Sequence, residues 1–91
     1  MLIQQTRTFK NTIKKLHNNQ KHELNLAIKE IIKNPLVGQV KKGDLSEVRV
    51  HKFKMLTQLT LLAYVYNEQK RTIVLLALGT HENFYIKLKR K

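Results

Sequence analysis

"TLLAYVYNEQKRTIVLLAL", Thr60 to Leu78, decides how this chain folds. Two near-continuous apolar runs, TLLAYVY (60–66) and TIVLLAL (72–78), flank the polar segment NEQKR (67–71). Short apolar runs of this kind, rich in β-branched and aromatic residues, read as strands buried on both faces. Asn67 to Arg71 supplies the hairpin turn between them. An antiparallel pair of strands is therefore the centre of the molecule.

Outward from that centre the pattern becomes one-sided. SEVRVHKF (46–53) alternates, with Val48 and Val50 on one face and Arg49 and His51 on the other. Lys52 and Lys54 share the parity of Val48 and Val50 unless a bulge near Phe53 reverses the facing. NFYIKLK (83–89) alternates again, which predicts a fourth strand or a short closing helix. Gly79 is read as the point where the apolar strand turns, so that GTHENFY (79–85) presents His81 and Tyr85 at the sheet rim. The N-terminal third reads helical. Phe9, Ile13 and Leu16 make a short amphipathic stripe, and Leu24, Ala27, Ile28, Ile31 and Ile32 make a stronger one. HNNQ (17–20) separates the two, and Asn34-Pro35 stops the second, because the residue before proline is pushed out of helical angles.

The predicted architecture is one α+β domain over residues 1–91, with a two-helix hairpin packed on an antiparallel three- to four-stranded sheet. A helix hairpin covers one face only. Leu, Ala and Tyr at both parities of the central strands leave the other face apolar, which predicts a protein partner there.

Charge is the strongest global property. Eighteen Lys and Arg against six Asp and Glu give +12, with a pI near 10.3. The cations are spread along the chain, so they coat a folded domain and draw in polyanions. There is no cysteine, hence no disulfide framework and no thiolate metal site. No apolar run reaches the ~18 residues of a bilayer span, and MLIQQTRTFK (1–10) lacks a secretory core, which predicts a cytoplasmic protein with no membrane partner.

Two histidines divide acid and base duties well, because imidazole titrates near neutral pH. Cleavage of an RNA phosphodiester needs a base for the 2′-hydroxyl, an acid for the departing 5′-oxygen, and cations for the phosphorane. His51 and His81 fit the first two needs. Arg49, Lys52 and Lys54 fit the third, and Tyr85 can orient or stack the substrate. The basic end, Lys87, Lys89 and Arg90, extends the phosphate-binding surface. Against this stands the ordinary reading, in which a strand-end histidine is structural and HKFK (51–54) is a solvated edge. No metal site is expected, since no histidine pair has ligand spacing with carboxylates nearby, and no cofactor or glycine-rich phosphate loop is expected either.

The helix hairpin, GDLSEVRVHKFK (43–54), LLAYVY (61–66), IVLLALGTHENFY (73–85) and the basic end together resemble the RelE/ParE superfamily of toxins from type II toxin–antitoxin systems. RVH (49–51) and GTHENFY (79–85) are the most specific pieces and are similar to the YafQ branch of ribosome-dependent mRNA endoribonucleases. The resemblance implies a microbial-RNase type fold and metal-independent cleavage of mRNA on the ribosome. It implies acid–base roles for His51 and His81, a trailing aromatic at Tyr85, and alternate basic residues at Arg49 and His51. A cognate antitoxin would cover the apolar and basic surface. Where RelE relatives carry an arginine entering the next strand, this chain has Thr60 and Leu61. Two other readings remain open: a ParE-like toxin that inhibits DNA gyrase without cutting, and a non-toxic basic RNA-binding module.

Overall fold

The computed structural model describes residues 1–40 and 47–80. Its elements in chain order are β1 (Leu2–Gln5), α1 (Arg7–Lys14), α2 (Asn18–Lys33), β2 (Gln39–Val40), β3 (Arg49–Met55), β4 (Gln58–Asn67) and β5 (Thr72–Thr80). They build a five-stranded sheet in the order β1-β5-β4-β3-β2. The expected central hairpin is there, β4 and β5 pairing antiparallel around the turn that follows Asn67. The α+β class holds, with one difference in topology. β1 adds to the outer edge of β5 in parallel, Leu2 opposite Thr72, so the sheet is mixed rather than wholly antiparallel. LIQQ is too short and too polar to show a strand period, and its partner lies some seventy positions downstream, where no local pattern reaches. Residues 83–89, read as a further strand or closing helix, lie outside the described residues.

Both helices lie on one face, α1 against β5 and α2 against β3. α1 starts at Thr6, whose hydroxyl accepts from the Phe9 N–H at 3.1 Å and donates to the Leu76 carbonyl at 2.8 Å. Leu76 is the residue skipped where the β4–β5 register shifts, Ala63 facing Ala77 and Tyr64 facing Leu75. One hydroxyl therefore caps a helix and satisfies a carbonyl at a bulge. HNNQ opens α2 rather than forming a separate turn. The His17 N–H donates to Gln20 Oε1 at 2.8 Å, supplying a partner for a backbone donor at the helix start.

The stripe residues Phe9, Leu24 and Ile31 are buried with Met55, Leu62, Tyr64, Ile73, Leu75 and Leu78, and Phe53 packs against them. That is the main core. A second, smaller cluster of Val50, Leu61, Ala63 and Ala77 lies on the opposite face, with Val48 and Leu76 packed against it. The prediction that this face stays apolar and uncovered is therefore corrected. Val50, Leu61, Ala63 and Ala77 are at most 7% exposed, so the middle of this face is shielded from solvent. Large exposed apolar side chains lie on α2 (Leu26, Ile32), just after it (Leu36, Val37) and at the β3–β4 hairpin (Leu56, Leu59).

Gly79 does not turn the chain. It sits inside β5 opposite Leu61, and the strand continues to Thr80.

Candidate functional site

The β3–β4 register runs unbroken from Arg49 opposite Tyr64 to Met55 opposite Gln58. No bulge near Phe53 reverses the facing, so parity decides which side each candidate takes. Arg49, His51, Phe53 and Met55 face the helices. Val50, Lys52 and Lys54 face away from them.

This placement divides the predicted site. His51 is 8% exposed and stacks on Phe53, ring centroids 5.9 Å apart and 14° from coplanar. Its Nε2 lies 3.3 Å from Glu30 Oε2 on α2, in a geometry that does not amount to a hydrogen bond, which leaves that nitrogen without a partner. It is the sole approach of a basic side chain to a carboxylate within 4.0 Å among the described residues, and Glu30 itself is largely exposed. His51, read from the sequence as a candidate acid or base, thus lies largely buried beneath α2. Its polar neighbour Arg49 gave that parity a solvated look, yet Phe53 and Met55 carry the same parity into the core.

Arg49 is likewise occupied. Its guanidinium donates to the carbonyls of Gly38 at 2.9 Å and Leu36 at 3.3 Å, pinning the chain that leaves α2. Tyr64 completes this knot. The phenol donates to the Pro35 carbonyl at 2.7 Å and accepts from the Gly38 N–H at 2.8 Å. Burial pushes the phenol's pKa above the usual 10.0, while the Gly38 hydrogen bond and the Arg49 charge pull the other way. Gly38 has to be glycine, since a Cβ would stand 2.7 Å from the Tyr64 ring and hydroxyl and 3.0 Å from Arg49 Cβ. Neither Tyr64 nor Gly38 drew notice in the sequence. The only available signal was a tyrosine at core parity, with a hydroxyl that must find a partner once buried.

Lys52 and Lys54 are exposed on the face turned away from α1 and α2. Opposite them on β4 stand Leu61 and Leu59, and Gly79 on β5 continues the Lys52 row through Leu61. β5 ends at Thr80, one residue in sequence before His81. His81, Tyr85, Lys87, Lys89 and Arg90 lie outside the described residues. What is brought together is therefore a pair of ammonium groups on a rigid strand, with no carboxylate within 4.0 Å among the described residues, two strands across the sheet from β5, which leads to the Gly-Thr-His segment. Sites on sheet strands are held more firmly than sites on loops. At the other end of β3 a shallow pocket is lined by Glu47, Arg49, Tyr66 and Glu68. Its two carboxylates make it a poor seat for a phosphate. Among the described residues no three His, Asp or Glu side chains converge as metal ligands, and no helix is long and apolar enough to cross a membrane.

The fold is similar to solved toxin structures. The toxin–antitoxin complex RelBE of Escherichia coli matches with a TM-score of 0.71 at 16% identity, covering 89% of this chain and 96% of that one. The RelBE2 complex of Mycobacterium tuberculosis matches with a TM-score of 0.74 at 18% identity, over 88% and 96% of the two chains. A conserved hypothetical protein of Helicobacter pylori shares 24% identity over 89% and 96%, with a TM-score of 0.54. At these identities the likeness shows the fold. No curated protein sequence matches the chain. The family model described as a ParE-like toxin of type II bacterial toxin–antitoxin systems matches residues 3–89. With nearly the whole length matched, the chain belongs to the family of ParE-like toxins of type II bacterial toxin–antitoxin systems.

Proposed function

We propose that this toxin cleaves mRNA on the ribosome, with the sheet face turned away from α1 and α2 as the surface that takes the RNA backbone. The observation that carries this reading is the exposed pair Lys52 and Lys54 at alternate positions of β3, on the same sheet face as Leu61 of β4 and Gly79 of β5, the strand that leads into His81. Two cations on one rigid face can hold a phosphate and oppose the charge that develops on it. His81 takes acid–base duty by its place in the Gly-Thr-His motif, and Tyr85 orients the substrate. Lys87, Lys89 and Arg90 add long-range attraction within a chain of net charge +12. In the reaction the 2′-oxygen attacks its neighbouring phosphorus and loses its proton to the base. The bond to the 5′-oxygen breaks, and that oxygen takes a proton from the acid. A 2′,3′-cyclic phosphate and a 5′-hydroxyl end result. His51 and Arg49 act through structure in this reading, fixing α2 and the segment after it onto β3.

The partner that restrains the toxin is an antitoxin. RelE is found bound to RelB in the E. coli complex, which supports a similar arrangement here. Acidic and apolar segments would match the basic surface together with exposed Leu26, Ile32, Leu36 and Val37.

Mapping of RNA 5′ ends in cells expressing the wild type, His81→Ala and Lys52→Ala/Lys54→Ala tests the proposal. Cuts within translated mRNA should appear with the wild type and fall by orders of magnitude in both variants. Wild-type cutting by His81→Ala would overturn the assignment. A second reading, inhibition of DNA gyrase without cleavage, is favoured by the ParE-like family match and by the burial of His51, which takes one expected imidazole away from the lysine face. That reading predicts DNA-damage signalling, no mRNA ends and indifference to His81→Ala.

A further inference from the structure

The tip of the β3–β4 hairpin joins Met55 to Gln58 through only two residues, Leu56 and Thr57. Leu56 has φ 61°, in the left-handed region where a two-residue hairpin ordinarily carries Gly, Asn or Asp. A γ-branched side chain gains nothing from that backbone conformation, and here it gains no burial either. Leu56 is 48% exposed, and Leu59, two positions beyond the turn, is 42% exposed. By contrast Val50 and Leu61, further along the same hairpin, are buried. Leu59 stands directly opposite Lys54 on the face turned away from α1 and α2, so the two side chains are cross-strand neighbours. A strained, water-facing leucine at the tip, with a second exposed leucine two positions beyond the turn, is a cost to folding that strand pairing does not explain. Such outliers gather where a molecule meets its ligand.

We infer that Leu56 and Leu59 form an apolar rest for the nucleobase next to the phosphate held by Lys52 and Lys54. The inference rests on the proposed RNA-cleaving function and deepens it, by placing base selection at the hairpin tip. Single-stranded RNA offers an unstacked, apolar base face beside each charged phosphate. The hairpin end offers the complement, ammonium groups on β3 with a bare leucine across from the outer one. An apolar contact of this kind adds affinity without releasing counterions, so it leaves the salt dependence of binding alone. A lysine contact does the opposite.

The test uses the full chain as wild type, Leu56→Gly, Leu59→Ser and Lys52→Ala, a short labelled single-stranded RNA of mixed sequence, and a salt series. Leu56→Gly and Leu59→Ser should each weaken binding about fivefold at every salt concentration with the slope of log K against log salt unchanged. Lys52→Ala should lower that slope by about one. Leu56→Gly should melt at or above the wild-type temperature, since glycine relieves the positive φ. RNA ends mapped on translating ribosomes should spread over more sequences in both leucine variants. Unchanged affinity together with unchanged ends in both would overturn the inference while leaving cleavage intact. Loss confined to binding of the antitoxin would overturn it as well, assigning the leucines to a protein contact. A wild type that neither binds the RNA nor cuts would remove the proposed function and this inference together.

Discussion

Replacing Tyr64 with phenylalanine removes one oxygen and breaks the knot that ties the end of α2 to the sheet. The phenol is buried and serves two backbone groups, the Pro35 carbonyl at 2.7 Å and the Gly38 N–H at 2.8 Å. Each lost hydrogen bond costs about 1 kcal/mol net, and a buried donor left without a partner costs ~1–3 kcal/mol. Tyr64→Phe should therefore lose about 2–3 kcal/mol. A domain of this size holds roughly 5–14 kcal/mol in all. In urea the midpoint should fall with the slope unchanged, and the melting temperature should drop by about 8–20 °C. A second signature comes from pH. Burial raises the folded-state pKa of the phenol above 10.0, so the neutral form is favoured by folding. Its contribution is fully present below the unfolded value and is lost as pH rises through the folded one. The stability gap between wild type and Tyr64→Phe should hold from neutral pH to about 10 and narrow above it. A loss under about 0.5 kcal/mol at neutral pH would refute the reasoning, because it would mean that water serves Pro35 and Gly38 as well as the phenol does.

Gly38→Ala tests the same knot from the other side and should destabilise comparably, by urea titration, since its Cβ has no room against Tyr64. Thr6→Val keeps the shape but loses both hydroxyl bonds, and should cost about 1–2 kcal/mol in the same assay. Lys52→Ala/Lys54→Ala should leave the melting temperature within a degree or two of wild type, roughly what exposed sites allow. The same pair should flatten the salt dependence of RNA binding. His51→Leu fills the space beneath α2 without a titratable group. If His51 acts through packing, growth arrest on induction should persist in that variant, and recovery of growth with the protein still folded would return His51 to the reacting centre.

The centre of the fold was readable because its signal is local. TLLAYVY and TIVLLAL carry strand composition on both sides of a polar turn, and the α2 stripe ends where Asn34-Pro35 requires. β1 was hidden for the opposite reason, since LIQQ becomes a strand only when β5 offers an edge. The facing of β3 was misjudged because both parities mix polar and apolar groups. Arg49 and His51 suggest a wet side, whereas Phe53 and Met55 on that same side enter the main core. Polar residues there are tolerated because each finds a structural use, Arg49 on two carbonyls and His51 on the Phe53 ring. The lysines were legible as cations from composition alone. Their shared face with Val50 followed from parity, and the unbroken register of β3 and β4 settles it.

The parallel pairing of β1 with β5 has a kinetic consequence. Thr6 and Leu76 are joined across 70 positions of sequence, so the first strand waits for nearly the last one before its edge is satisfied. Closing so long a span is entropically slow, and neither half of the chain can bury α1 without the other. During synthesis the nascent polypeptide must therefore stay open until Leu76 has emerged, and the lysine face has no rigid support before then. Protection of the Thr6 and Phe9 amides, followed on stalled nascent chains of increasing length, should appear in one step after Leu76 is released.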